Sequence, residues 1–244
     1  MEDMVGPLGF TDMDPEGMLT WGFDQLGTMP TIYNYPYYPE HIKAIGGFEI
    51  DNKYVENKLM VPEAVPEKYA KIAAMIQKRY NLHVVKLTKK MVFDEGYGQK
   101  IFDLINATYS HLYGYSQLTQ KQINQYIKMY LGMLDLEFVT LIEDWSGDER
   151  KLVGAGISMP SLSIALQKCH RGRMLLFGWW HLLRAIKFHK TKIVDLLLVG
   201  ILPEYRAKGA NALLFADLIP IYQKYGIEWG ETQVEMETNT AVQG

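Results

Sequence analysis

The residues best suited to chemistry lie in the run DLLLVGILPEYRAKGAN, from Asp195 to Asn211. The near-continuous apolar stretch 193–201 predicts a strand covered on both faces. It ends at Pro203, and a basic loop then leads into a helix expected over 210–225. Amides at a helix start, together with the helix dipole, suit phosphate oxygens. Gly209 lets a backbone approach an anion with no side chain between, and Arg206 and Lys208 add positive charge. The plainer alternative is a solvated basic turn before an amphipathic helix. Asp195 would serve as a general base for an amine if its pKa were raised. Its plainer reading is an edge-facing or salt-bridged carboxylate. Glu231, Glu235 and Glu237 cluster near the strand expected over 227–233, where solvated loop carboxylates are the plain reading.

These residues need a scaffold. Residues 1–60 are dense in Gly, Pro and Tyr, so short elements between turns are expected, with one alternating strand over 48–60. Two prolines in 61–67 precede a helix face at Ile72, Met75, Ile76 and Tyr80, with Pro66 at its start. Strands are expected over 82–87, 137–142 and 152–159, the last two joined by a turn at Ser146-Gly147. Helices are expected over 101–113 and 121–134, burying Leu104, Ile105, Tyr109, Ile123, Ile127 and Tyr130. A polar segment over 161–172 and a helix over 179–186, with Trp179, Trp180 and Leu183 inward, complete the order. It describes an α/β (α+β) mixed sheet with packed helices.

The loop resembles the acyl-CoA loop of the GCN5-related N-acetyltransferase superfamily. That pattern is Arg/Gln-x-x-Gly-x-Gly/Ala after a strand ending in Val-x-Pro. Here it reads Ile201-Leu202-Pro203, then Arg206-x-x-Gly209-x-Asn211, with Asn in place of the last Gly or Ala. The resemblance implies an acyl-CoA N-acyltransferase fold with acetyl-CoA or another acyl-CoA as co-substrate. It implies that the loop Arg206, Ala207, Lys208, Gly209, Ala210, Asn211 and Ala212 holds the pyrophosphate. Amides near Val199 and Ile201 would hold the pantetheine arm and polarise the thioester carbonyl. Asn239 matches the family's Asn after the fifth strand, and Glu231 lies where acceptor amines approach. Tyr109, Tyr113 and Tyr115, with His111, fall where the family's first helices shape the acceptor pocket.

Residues 34–48 are similar to the family's closing helix and following strand, although they carry prolines. The segments GPLGFTDMDPEGM, YNYPYYPEH, MPSLSIALQK, GWWHLLRAIK and ETN resemble two-lobe bacterial acetyltransferase-like proteins. The expectation is therefore an incomplete tandem, trimmed at both ends. Residues 1–60 would be the end of a first lobe, 61–81 a connecting helix, and 82–244 a second lobe lacking its last strands and the aromatic acid after Asn239.

Composition narrows the classes. With 48% apolar and 22% charged residues the chain is an ordinary globular one. A net charge of −3 and a pI near 6.1 argue against a nucleic-acid partner and against an aminoacyl transfer from transfer RNA. The apolar run 174–186 carries His181 and Arg184 and is too short for a bilayer, which needs ~20 apolar residues. The single Cys169 cannot form an internal disulfide, and no basic leader opens the chain, so a cytoplasmic protein is expected. The histidine spacing suggests no metal, and Arg171 and Arg173 beside His170 face either CoA phosphates or solvent. The expected activity is N-acyl transfer to a small-molecule or peptide amine by direct attack. The alternative is a catalytically impaired CoA-binding or interaction module of the same fold. An exposed sheet edge would invite pairing with a second copy.

Overall fold

The computed structural model describes residues 4–9, 11, 14–169 and 173–239, apart from the side chain of Leu176. Among these a six-stranded mixed sheet runs in the order β2-β7-β6-β5-β4-β3. Its strands are β2 (Lys58–Met60), β3 (Leu82–Lys86), β4 (Val139–Asp144), β5 (Lys151–Pro160), β6 (Ile193–Ile201) and β7 (Trp229–Thr232). Strands β3 to β6 pair antiparallel, β6 and β7 run parallel, and β2 closes the far side antiparallel to β7. A separate pair joins β1 (Tyr54–Val55) to β8 (Glu235–Met236). The architecture is mixed α/β.

Strand β6 is apolar because helices cover it on both faces. Helix α9 (Asn211–Lys224) packs on one face, where Val194 meets Phe138, Leu218, Ile221, Tyr222 and Ile227. Helix α2 (Glu67–Tyr80) lies beside α9, and Ile76 joins Leu82, Ile142, Val153 and Leu213. On the other face α4 (Tyr97–Tyr109) and α5 (Gln120–Tyr126) bury Ile101, Leu104, Ile105 and Ile123, with Leu197 and Leu198 packed against them. Burying such a side chain is worth about 1.5–3 kcal/mol, so this two-sided core fixes which residues of β6 remain reachable. Local signals set the helix starts. Thr88 caps α3 (Lys89–Phe93) by accepting from the Met91 amide, and Thr119 and Gln122 form a reciprocal capping box at α5.

Several elements differ from expectation. The helix expected over 101–113 starts earlier, at Tyr97 after the left-handed Gly96, and its last residue is Tyr109. The helix expected over 121–134 ends at Tyr126 and widens into a π-turn over Ile127–Leu131, leaving Tyr130 half exposed. The alternating run 48–60 is strand only at β1 and β2, and Phe48, Ile50 and Leu59 stay exposed. Residues 161–172 hold a short helix, α6 (Ser163–Gln167). Helix α7 (Trp179–Ile186) forms as expected but buries Ala185, and Trp179 and Trp180 face outward. Met75 likewise faces solvent, and Ala73 takes the inward place beside Ile76 on α2. Residues 37–45 form helix α1 (Tyr37–Ile45), none of whose residues is buried.

Candidate active site

Strand β6 carries the unusual features. It pairs with β7 only from Ile193↔Trp229 to Leu196↔Thr232, then continues to Ile201 while β7 ends. The chain beyond β7 turns away to pair β8 with β1, so β6 and β7 part at Leu196. On its other side β6 shifts register against β5. Ile157 pairs with Leu198 and Ser158 with Leu196, which leaves Leu197 as an extra residue. Such a bulge bends a strand and re-aims its backbone groups, and bulges collect beside active sites.

Asp195 sits just before this fork, in register with Met159 on β5 and Glu231 on β7. It is not at an edge, and among the described residues it forms no salt bridge. The residue is sealed from solvent, and neither carboxylate oxygen has a hydrogen-bond partner among the described residues. Desolvation pushes its pKa up to about 6, and the negative charges of Glu231 and Glu56 add to this. The Ser161 hydroxyl draws the pKa partly back without completing a hydrogen bond to either oxygen. Two further carboxylates act on it, Glu231 and Glu56. Glu231 accepts from the Trp229 indole N–H at 2.9 Å, and its neighbour across β2, Lys58, puts its ammonium 3.9 Å from the centre of the Trp229 ring. Desolvation also raises Glu56, which accepts from the Thr31 hydroxyl, and Glu235, which accepts from Asn57 at 3.3 Å. Glu237 is exposed, and its amide donates to the Lys53 carbonyl.

Past the fork, the backbone of Val199 has a side-chain partner. The Tyr109 hydroxyl, at the end of α4, donates to the Val199 carbonyl at 3.2 Å and accepts from its amide at 3.3 Å. Tyr115 packs edge-on against Tyr109 with ring centres 5.9 Å apart, and its own hydroxyl donates to Asn106. Tyr113 points elsewhere and donates to Asp51, while His111 is exposed. Ile201 is buried and its carbonyl accepts from the Arg206 guanidinium at 2.7 Å.

The loop after β6 is more tightly wound than an open anion cradle. It forms the single turn α8 (Pro203–Arg206) and a run of tight turns into α9. The amides of Ala207, Lys208, Gly209 and Ala210 donate to the carbonyls of Pro203, Tyr205, Arg206 and Tyr205, and those of Ala212 and Leu213 to Gly209 and Ala210. Gly209 has φ +84°, a conformation that favours glycine, and a Cβ there would lie 3.3 Å from the end of the Ile76 side chain on α2, a tight approach. Lys208 lies over the rings of Tyr205 and Tyr80 at 4.2 and 5.1 Å. Tyr205 in turn donates to Asp144 at 2.7 Å. Asn211 is exposed at the start of α9.

Asn239 lies in the turn after β8, its amide donating to Met236, and the residues after it fall outside the described ones. His170 and Arg171 are also outside them, and Arg173 is exposed. Cys169 is buried, with its thiol against the carbonyls of Ala165 and Gly178. Among the described residues no three His, Cys, Asp or Glu side chains are grouped to hold a metal, and no helix is long and apolar enough to cross a membrane. The structure thus gathers Asp195, Glu231 and Val199 around the fork. It keeps the 206–212 loop beyond the end of β6 and Asn239 beyond β8. Sequence reasoning missed Glu56 and Ser161, because only the pairing of β2 with β7 and of Pro160 with Val194 brings them near Asp195.

No protein-family model matches the chain, and no curated protein matches it. Among solved structures it is similar to a GCN5-related glucosamine N-acetyltransferase region of a fungal multi-domain GH3 β-N-acetylglucosaminidase. The identity is 12% and the TM-score 0.48, over 85% of this chain and 21% of that one. The chain therefore spans about a fifth of the length of that protein.

Proposed function

We propose that the protein is a GCN5-related N-acyltransferase-like enzyme that moves an acyl group from acyl-CoA to an amine. The observation that carries this reading is the fork in β6. A strand bulged at Leu197 parts from its parallel neighbour directly after a buried carboxylate whose pKa is near 6. The parted edge offers backbone amides to the pantetheine arm and the thioester carbonyl, and Asp195, sealed behind that edge, takes the proton of the attacking amine through a relay rather than by direct contact. At neutral pH most of such a carboxylate is ionised and ready to accept that proton. Glu231 and Glu56 add negative potential that draws a protonated amine toward the fork. The 206–212 loop, the Asn239 turn, a reducing compartment and pairing with a second copy through the exposed β2 edge belong to the same proposal.

One observation favours a second reading. The loop amides from Ala207 to Ala210 are committed to backbone turns and Arg206 to the Ile201 carbonyl, which suits a binding module with little turnover. Two measurements separate the readings. Calorimetric titration with CoA is expected to give a dissociation constant below hundreds of micromolar, and no heat in that range removes both. Amine-dependent thiol release from acetyl-CoA, across a panel of amines, is expected for the enzyme and absent for the module. Its rate is expected to fall with decreasing pH through about 6, and Asp195→Asn should lower it about 100-fold or more.

A further inference from the structure

The strongest unexplained contact is the one between Tyr109 and the parted edge of β6. A strand that loses its neighbour leaves amide and carbonyl groups that need partners. At Val199 both are taken by one phenol oxygen, 3.3 Å from the amide and 3.2 Å from the carbonyl. An extended ligand that adds to a strand edge through its own amides uses those same two groups. The Val199 amide has one hydrogen to give, so the phenol and such a ligand compete for it.

The phenol is also delivered by a rigid support. Tyr109 is the last residue of α4, and the residue before it, Thr108, is buried against β6. A Cβ at Gly200 would lie only 2.9 Å from the Thr108 hydroxyl, so helix and strand touch at the residue next to Val199. Tyr115 backs the Tyr109 ring edge-on, and Tyr115 is itself tied to Asn106, which also bonds the Leu118 amide at 2.9 Å. The hydroxyl therefore reaches Val199 from a braced helix end.

We infer that Tyr109 is a built-in competitor for the ligand-binding edge of β6, a residue whose hydroxyl must leave Val199 before an amide-bearing arm can pair there. This inference rests on the acyl-CoA reading above. It makes Tyr109 an affinity-determining residue: the hydroxyl protects the edge when no ligand is bound and weakens binding when one arrives. Tyr109→Phe keeps the ring against Tyr115 and removes only the competing oxygen.

The test is calorimetric titration of the full chain with CoA, for wild type, Tyr109→Phe and Tyr113→Phe. The Tyr113 variant loses a tyrosine hydroxyl bonded to Asp51 rather than to β6. A neutral hydrogen bond carries a net about 0.5–1.5 kcal/mol, so Tyr109→Phe should bind CoA about 2- to 13-fold more tightly, with Tyr113→Phe unchanged. Wild-type binding with Tyr109→Phe equal or weaker overturns the inference and leaves the acyl-CoA reading standing. No binding by any of the three overturns both. Amide exchange supplies a second readout independent of CoA. The Val199 amide should exchange faster in Tyr109→Phe than in wild type, and an unchanged rate sinks the inference.

Discussion

At the scale of the residue, Asp195 is a liability that the fold tolerates. Its carboxylate is fully buried on an interior strand, without a hydrogen-bond or ion-pair partner among the described residues. An unfolded Asp titrates near ~3.9, so a folded pKa of about 6 means that the folded chain holds this proton the more firmly. The sign follows. Stability is undiminished below the unfolded value, declines as pH rises through the window from about 4 to 6, and levels off above it. Two pKa units correspond to about 3 kcal/mol at most. Glu137 works in the opposite sense, since the ammonium of Lys224 and the hydroxyl of Tyr225 hold its carboxyl low. A comparison of two proteins that share Glu137 cancels its contribution. Asp195→Asn should therefore gain about 2–3 kcal/mol on wild type between pH 4 and pH 7 in urea unfolding. Parallel pH profiles for the two proteins would remove Asp195 as a buried, proton-holding group. A stability cost accepted at a strand fork is what a proton-accepting role would require.

Elements explain how that residue came to be placed. The fork depends on α4 approaching β6 closely enough to hold Val199 and its neighbours. That approach exists because residue 200 has no side chain: a Cβ there would meet the Thr108 hydroxyl at 2.9 Å. Thr108 has little freedom to yield, since it is buried and donates to the Leu104 carbonyl at 2.8 Å. Gly200→Ala should thus cost about 1–3 kcal/mol through overpacking. Adding Thr108→Ala should return part of that cost, giving a coupling in the double-mutant cycle. Additive effects would mean that the contact is loose. The sequence made the strand itself readable, since 193–201 is apolar almost throughout and β6 occupies that same range. It could not make the bulge readable, because Leu197 differs in no way from Leu196 or Leu198 until β5 is paired beside it. The same limit hid the end of α4. Apolar spacing continued to Tyr113, but the chain turns at Ser110, and the turn is what delivers Tyr109 to Val199. Asp195 was legible as a charge in an apolar strand, whereas its lack of a partner was not, because partners come from β7 and from the chain beyond β5. The run 48–60 misled for a related reason. Alternation marks a strand, but its partners β7 and β8 are only four and two residues long, so most of the run has nothing to pair with.

For the whole molecule, the pairings tie residues 54–60 to residues 229–236. Tyr54 lies opposite Met236 and Lys58 opposite Glu231, so residues near 55 complete structure built near 232. The junction is bonded on both sides. Asn57 donates its amide to the Thr232 hydroxyl at 3.0 Å, and Thr232 donates its own amide to the Asn57 carbonyl at 3.0 Å. Gln223 on α9 reaches the Pro62 carbonyl at 2.7 Å, and the Val61 amide donates to Glu228 at 2.9 Å. Since β7 borders β6 directly, loosening β2 loosens the fork beside Asp195, and the two regions are expected to unfold together. Tryptophan fluorescence and far-UV circular dichroism should then give coincident transitions in urea. Thr232→Ala removes the acceptor of the Asn57 amide at a buried position and should lower stability by about 1 kcal/mol, moving both probes by the same amount. Separate midpoints, or a shift in only one probe, would mean that the segment around β1 and β2 folds independently of the sheet it borders. In that case the fork would owe its shape to β5 and α4 alone, and the carboxylate of Glu56 would have no fixed place beside it.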